Sequence, residues 1–131
     1  MNKRKKARQK GFRSGLEQRL AESSFSDLEY EPYSVEYTKP AVKSKYTPDF
    51  VYKDYLIEVK GMIRSMEDCH KYQSIINEGY KLIFVLQDEN TPMPRAKKRK
   101  DGTKRKIKDW LDELGVPWYT EQDAHKIKED F

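Results

Sequence analysis

The sequence predicts a mixed α/β fold, and three observations carry that expectation. Tyr46 to Lys60 has the pattern of a β-hairpin, Met66 to Glu78 that of an amphipathic helix, and Lys81 to Leu86 that of a buried strand. A strand–helix–strand order of this kind favours a mixed sheet flanked by helices.

Taken in order, residues 1–10 lack any apolar periodicity and read as a disordered basic arm. Residues 11–131 then read as a single domain, the size being typical of one compact unit of ~100–150 residues. Ser14-Gly15-Leu16-Glu17 has the Ser-x-x-Glu form of a helix capping box, and Leu16 and Leu20 would share one helical face, so a helix is expected from Gly15 to Ser23. A short helical or turn element around Phe25 and Leu28 leads into a segment where Tyr33, Val35 and Tyr37 alternate with polar residues. Pro32 and Pro40 bracket that segment, which suits an edge or connecting strand.

In the hairpin, Phe50 and Val51 precede a polar Lys53-Asp54 turn, and Tyr55 to Lys60 return. The helix after it carries Tyr72, Ile75 and Ile76 as its apolar stripe, with Gly79 just past its end. Ile107, Trp110, Leu111 and Leu114 mark another amphipathic helix ended by Gly115, and residues 121–129 suit a last short one.

Composition narrows the function classes. One cysteine and two histidines give little support to a structural zinc cluster, which wants four such ligands in spaced pairs. Cys69 cannot form an intramolecular disulfide and no signal-like apolar stretch follows the basic start, so a reducing cytoplasmic setting is expected; no run approaches a membrane span. The net charge of +5 is unevenly spread. Residues 1–13 hold seven Lys or Arg and no acid, and Arg95 to Lys108 hold nine against Asp101 alone. Two positive segments on an otherwise acidic body suit a phosphate backbone, with Lys97, Lys98, Arg99, Lys100, Lys104, Arg105 and Lys106 as candidate contacts. Charge alone fits RNA or anionic lipid equally well.

The register of the hairpin is more specific. With Lys53 and Asp54 as the turn, residue 49 faces residue 58, which opposes the carboxylates of Asp49 and Glu58. Period-two alternation puts Leu56, Glu58 and Lys60 on one face and Ile57 and Val59 on the other. The two acids match the oxygen ligands that Mg²⁺ takes while holding a substrate phosphate, and Lys60 can orient the nucleophile or neutralise that phosphate, which is nuclease chemistry. The plainer alternatives are a surface ion pair for Glu58 and Lys60 and a helix cap for Glu17.

Pro48-Asp49 followed by Glu58-Val59-Lys60 resembles the PD-(D/E)xK signature of the restriction-endonuclease-like nucleases. With Gly11-Phe12-Arg13-Ser14-Gly15-Leu16-Glu17, Tyr46-Thr47-Pro48-Asp49-Phe50 and Glu58-Val59-Lys60-Gly61 in that order and spacing, the chain resembles the phage endonuclease I family of Holliday-junction resolvases from about Phe12 to Trp118. The resemblance implies a restriction-endonuclease-like sheet and a domain-swapped homodimer. Residues 11–42, a helix and bridging strand, would be exchanged between subunits, and residues 43–131 would form the catalytic core. It implies two Mg²⁺ or Mn²⁺ ions per site, with Asp49 shared, Glu58 and the Val59 carbonyl completing one and Glu17 serving the other in trans, and with Lys60 beside them. Arg13 would contact phosphate. The substrate implied is branched DNA, the four-way junction above all, in bacterial cytoplasm and from a phage or phage-derived gene. The rivals are another nuclease of this superfamily acting on duplex or damaged DNA, and a non-catalytic basic protein that binds nucleic acid. The dense run from Arg95 to Lys108 departs from the family pattern and bears on substrate preference.

Overall fold

The structure, a computed structural model, describes residues 11–39 and 42–131, so the expected basic arm lies outside the described residues. Helix α1 spans Gly15–Ala21, with Ser14 at its N-cap in extended conformation. Phe25 and Leu28 lie in the tight turns that follow, where the Phe25 amide bonds back to the Leu20 carbonyl. Strands β1 (Val35–Lys39) and β2 (Val42–Tyr46) pair antiparallel as a separate two-stranded sheet, from Val35 opposite Tyr46 to Lys39 opposite Val42. The expected connecting strand is therefore present, although residues 40 and 41 are outside the described part.

The main sheet has the order β3-β4-β5-β6, formed by Phe50–Tyr52, Tyr55–Lys60, Lys81–Leu86 and Trp118–Thr120. Strands β3 and β4 are antiparallel, in the register set by a Lys53-Asp54 turn: Phe50 faces Ile57, Val51 faces Leu56 and Tyr52 faces Tyr55. Strands β4, β5 and β6 run parallel, which requires crossovers. Helix α2 (Met66–Asn77) makes the first and α3 (Ile107–Leu114) lies in the second. A 3₁₀ turn over Glu121–Lys126 and helix α4 (Ile127–Asp130) end the chain. Gly79 and Gly115 follow α2 and α3 with φ of +96° and +72°, the left-handed region that glycine enters without a Cβ clash.

Alternation along β4 and β5 divides the core between the two faces of the sheet. Leu56, Leu82, Phe84 and Leu86 pack with Cys69, Tyr72 and Ile75 of α2, with Ile107, Trp110 and Leu111 of α3, and with Tyr37 and Tyr46 of the small sheet. Ile57, Val59, Ile83 and Val85 pack with Leu16 and Leu20 of α1, with Phe25 and Phe50, and with Ala124 and Ile127. Helix α1 is thus seated on the face opposite α2.

Two strands depart from the sequence expectation. Tyr46 belongs to β2, and the first arm of the hairpin begins only at Phe50. Val42-Lys43-Ser44-Lys45-Tyr46 carries too weak an apolar alternation to announce a strand, and Trp118–Thr120 is too short for any periodicity. Among the described residues, no helix is long and apolar enough to cross a membrane.

Candidate active site

At the end of the main sheet where β4 finishes and β3 begins lies a pocket of about 320 Å³, lined by Arg13, Glu17, Lys45, Tyr46, Thr47, Asp49, Glu58, Val59, Lys60 and Lys71. Three of these, Glu17, Asp49 and Glu58, are the buried charged residues of the chain's described part. Burial of an acid is costly without a partner, so each has to be accounted for.

Asp49 stands just before β3, and its Oδ2 accepts the Val59 amide at 2.8 Å. That bond ties the two strands together beyond their last regular pair. Burial, followed by the charges of Glu58 and Glu17, pushes the Asp49 carboxyl up to about 9, outweighing the Val59 hydrogen bond and the Lys60 charge that favour the anion. Such a group demands a proton or a cation.

Glu17 reaches the pocket from α1. The Ser14 hydroxyl accepts the Glu17 amide at 3.1 Å, as an N-cap should, and donates to Glu17 Oε1 at 2.9 Å. Glu17 Oε2 accepts the Tyr30 hydroxyl at 2.5 Å, and that phenol oxygen in turn accepts the Arg13 amide at 3.2 Å. Glu17 therefore does more than cap its helix. Burial and the bond to Glu17 hold the Tyr30 phenol well above its ordinary range, so it stays a donor.

Glu31 joins these two acids. One carboxylate oxygen from each of Glu17, Glu31 and Asp49 lies within 4.8 Å of the others, in a geometry suited to a cation. The Glu31 amide donates to the Asp49 carbonyl at 2.9 Å, which locks the two segments in register, and Arg13 Nε lies 2.9 Å from its carboxylate. In the single chain, Glu17 and Glu31 stand beside Asp49 of the same chain.

Glu58 is held differently. The Tyr72 hydroxyl donates to Oε1 at 2.8 Å, the Tyr46 hydroxyl donates to Oε2, and Lys60 Nζ lies 3.1 Å from Oε1. Burial and the Glu58 charge raise both phenols far above their ordinary range, so they remain donors. Burial pulls the Lys60 ammonium down, but Glu58 and then Asp49 more than offset this and raise it. Replacing Tyr72 by Phe removes one of these donors while the other two stay. We expect a loss of about 1–2 kcal/mol in chemical denaturation.

The structure thus brings together Arg13, Glu17, Asp49, Glu58, Val59 and Lys60 from the sequence-derived set. It leaves the basic run elsewhere. Lys97, Lys98, Arg99, Lys100 and Lys104 are exposed on the loop after β5, Arg105 pairs with Glu113, and Lys106 donates to Asn90; none lines the pocket. Sequence reasoning missed Glu31, Tyr30, Tyr46, Tyr72, Lys45 and Lys71. Of these, only Tyr46 stood in a quoted motif; Tyr72 was read as part of an apolar stripe, and Glu31 has no spacing signal at all.

No curated protein matches the chain. The sequence model of the Phage endonuclease I family matches residues 1–86, which is 86 of 131 residues and includes α1 through β5 with every acid of the pocket and Lys60. The basic loop falls outside that match. A buried, lysine-bearing carboxylate pocket at the hairpin's end and a family match over most of the chain agree, and the chain belongs to the phage endonuclease I family.

Proposed function

We propose that the protein resolves four-way and other branched DNA by hydrolysing phosphodiester bonds with Mg²⁺ or Mn²⁺. The observation that carries this reading is the convergence of Glu17, Glu31 and Asp49 within 4.8 Å, next to the Glu58 and Lys60 pair. The residues fit a divalent cation: they are hard oxygen donors, and Asp49 is ionised at neutral pH only if positive charge is supplied. Bound there, a divalent ion would offset the charge on phosphodiester oxygens and make water a stronger acid. Glu17, Glu31 and Asp49 would hold one ion. A second would take Asp49, Glu58 and the Val59 carbonyl, since Glu58 Oε1 is shared by Tyr72 and Lys60 whereas Oε2 accepts the Tyr46 hydroxyl and keeps a lone pair.

The chain's own groups do the remaining work. Asp49 fixes the end of the hairpin through Val59, and Tyr46 and Tyr72 aim Glu58. Lys60, kept charged, neutralises the phosphate under attack or orients the incoming water. The water oxygen bonds to phosphorus, the bond to the 3′ oxygen breaks, and that oxygen takes a proton, leaving a 5′-phosphate.

The exchanged homodimer belongs to this proposal. Glu17 and Glu31 precede the short connection between β1 and β2, and Asp49, Glu58 and Lys60 follow it. Opening that connection would let residues 11–42 make the same contacts on a partner's core of residues 43–131, giving two sites related by a two-fold axis for two junction strands. The exposed lysines and arginines of residues 95–108, with Arg13, would track the DNA backbone, and the setting would be the cytoplasm of a bacterial host.

A substrate panel tests the reading. With Mg²⁺ or Mn²⁺, four-way and forked DNA should be cut well above matched or nicked duplex; equal cutting of plain duplex would point to a different nuclease of this superfamily, and no cutting to a binding protein. Exchange has its own test: Glu17→Ala and Lys60→Ala chains, each inactive, should regain cleavage when refolded together, because one site per heterodimer is then intact. A mixture that stays inactive would mean that each chain completes its own site.

A further inference from the structure

We propose that Lys45 and Lys71 form a seat for a DNA backbone phosphate at the mouth of the pocket, separate from the scissile phosphate beside Lys60. The inference rests on the reading of the pocket as a nuclease site and extends it to how the substrate strand is held.

Four cations line the pocket, and they fall into two kinds. Lys60 is committed to Glu58 at 3.1 Å and Arg13 to Glu31 at 2.9 Å. No carboxylate lies within ion-pair distance of Lys45 or Lys71 among the described residues. The acids divide the same way: Glu58 and Glu31 are paired with Lys60 and Arg13, Glu17 and Asp49 have no ion-pair partner among the described residues, and two lysines face the pocket with no anion of the protein's own.

Lys71 is also held in place. Its ammonium sits 4.7 Å from the centre of the Tyr72 ring and 5.7 Å from that of Tyr46, the two side chains whose hydroxyls grip Glu58. Attraction to these two ring faces favours this placement of the ammonium over the others open to the side chain. Lys45 approaches from β2, one residue before Tyr46, so the pair comes from two different elements to one mouth. Two accessible ammonium groups beside a carboxylate centre suit a phosphodiester: they supply point charges without base readout, as a structure-selective enzyme requires.

The test measures binding of a synthetic four-way junction by the full chain in EDTA, where no strand is cut, across a range of salt. Each lysine replaced by Gln should flatten the slope of log K against log salt by about 0.9, and the double variant by about twice that. Lys71→Arg should keep the slope. Lys81→Gln, removing a lysine paired with Asp54 at the opposite end of β5, serves as the control that should leave it unchanged. The position is then checked with junctions carrying a neutral methylphosphonate on either side of the cut: at one of them, the difference between wild type and the Lys71→Gln variant should vanish. A double variant with the wild-type slope would overturn the seat, and so would a variant difference that survives every methylphosphonate. Should Lys71→Gln fold poorly, Lys45→Gln carries the same measurement alone. Failure of the wild type to cut branched DNA would sink the nuclease reading instead, and these metal-free slopes are independent of it.

Discussion

Asp49→Asn should abolish cleavage and at the same time make the metal-free protein harder to unfold. The loss of activity should exceed the 10²–10³-fold typical of removing one transition-state contact, on the order of 10³-fold or more, because both proposed ions share this carboxylate. Junction binding should persist. The gain in stability follows from the direction of the Asp49 shift. A carboxyl raised from 3.8 to about 9 binds its proton more tightly in the folded chain than in the unfolded one. Its favourable share of stability is complete below about pH 4 and drains away as pH climbs toward about 9. Asparagine carries no charge to desolvate, and its carbonyl still accepts the Val59 amide. The variant's advantage should therefore widen over that interval, reaching ~1 kcal/mol or more, or roughly 4 °C in Tm for a domain of this size. Added Mn²⁺ should raise the Tm of the wild type and leave that of the variant nearly unmoved. A variant no more stable than wild type at alkaline pH would mean that Asp49 is not crowded by Glu58 and Glu17.

Lys60→Ala should damage both fold and chemistry. Lys60 is 25% exposed and Glu58 7%, so the pair is largely out of water. Removing the ammonium leaves Glu58 with two phenol donors and no counter-charge, at a cost we place at about 2–3 kcal/mol, below the 3–5 kcal/mol of fully buried pairs because Lys60 retains some solvent. The sign of the Lys60 shift fits: raised above 10.5, the ammonium stabilises the fold throughout the working range and ceases to do so only as pH rises through its folded value. Cleavage should fall by ~10²–10³-fold. Pairing Lys60→Met with Glu58→Gln separates the two effects: urea midpoints should recover in the double variant and cleavage should not. Recovery of cleavage as well would remove Lys60 from the chemistry.

Much of this site was legible because a hairpin is arithmetic. Once Lys53 and Asp54 are the turn, the positions of Asp49, Glu58 and Lys60 follow from pairing and alternation, and the structure keeps that register. Glu31 could not be found that way. It adopts φ of +45° in a loop and reaches Asp49 through one backbone bond, so only tertiary structure puts the two together. Tyr72 shows a second limit: helical periodicity counted it as core, and it is fully buried, yet its hydroxyl is spent on Glu58. Charge density flagged residues 95–108, but not how the segment is anchored, with Met93 buried and its amide donating to the Arg105 carbonyl at 2.8 Å. Short strands such as β6 depend on their neighbours rather than on their own residues.

The division of the acids along the chain has a consequence for the integrity of the pocket. Glu17 and Glu31 come from the stretch ahead of β1, and Asp49, Glu58 and Lys60 from the residues beyond β2, with α1 packed on the sheet face that carries Ile57 and Val59. Neither stretch holds the full complement of charges, so the carboxylates meet only where tertiary packing seats the first stretch on the second.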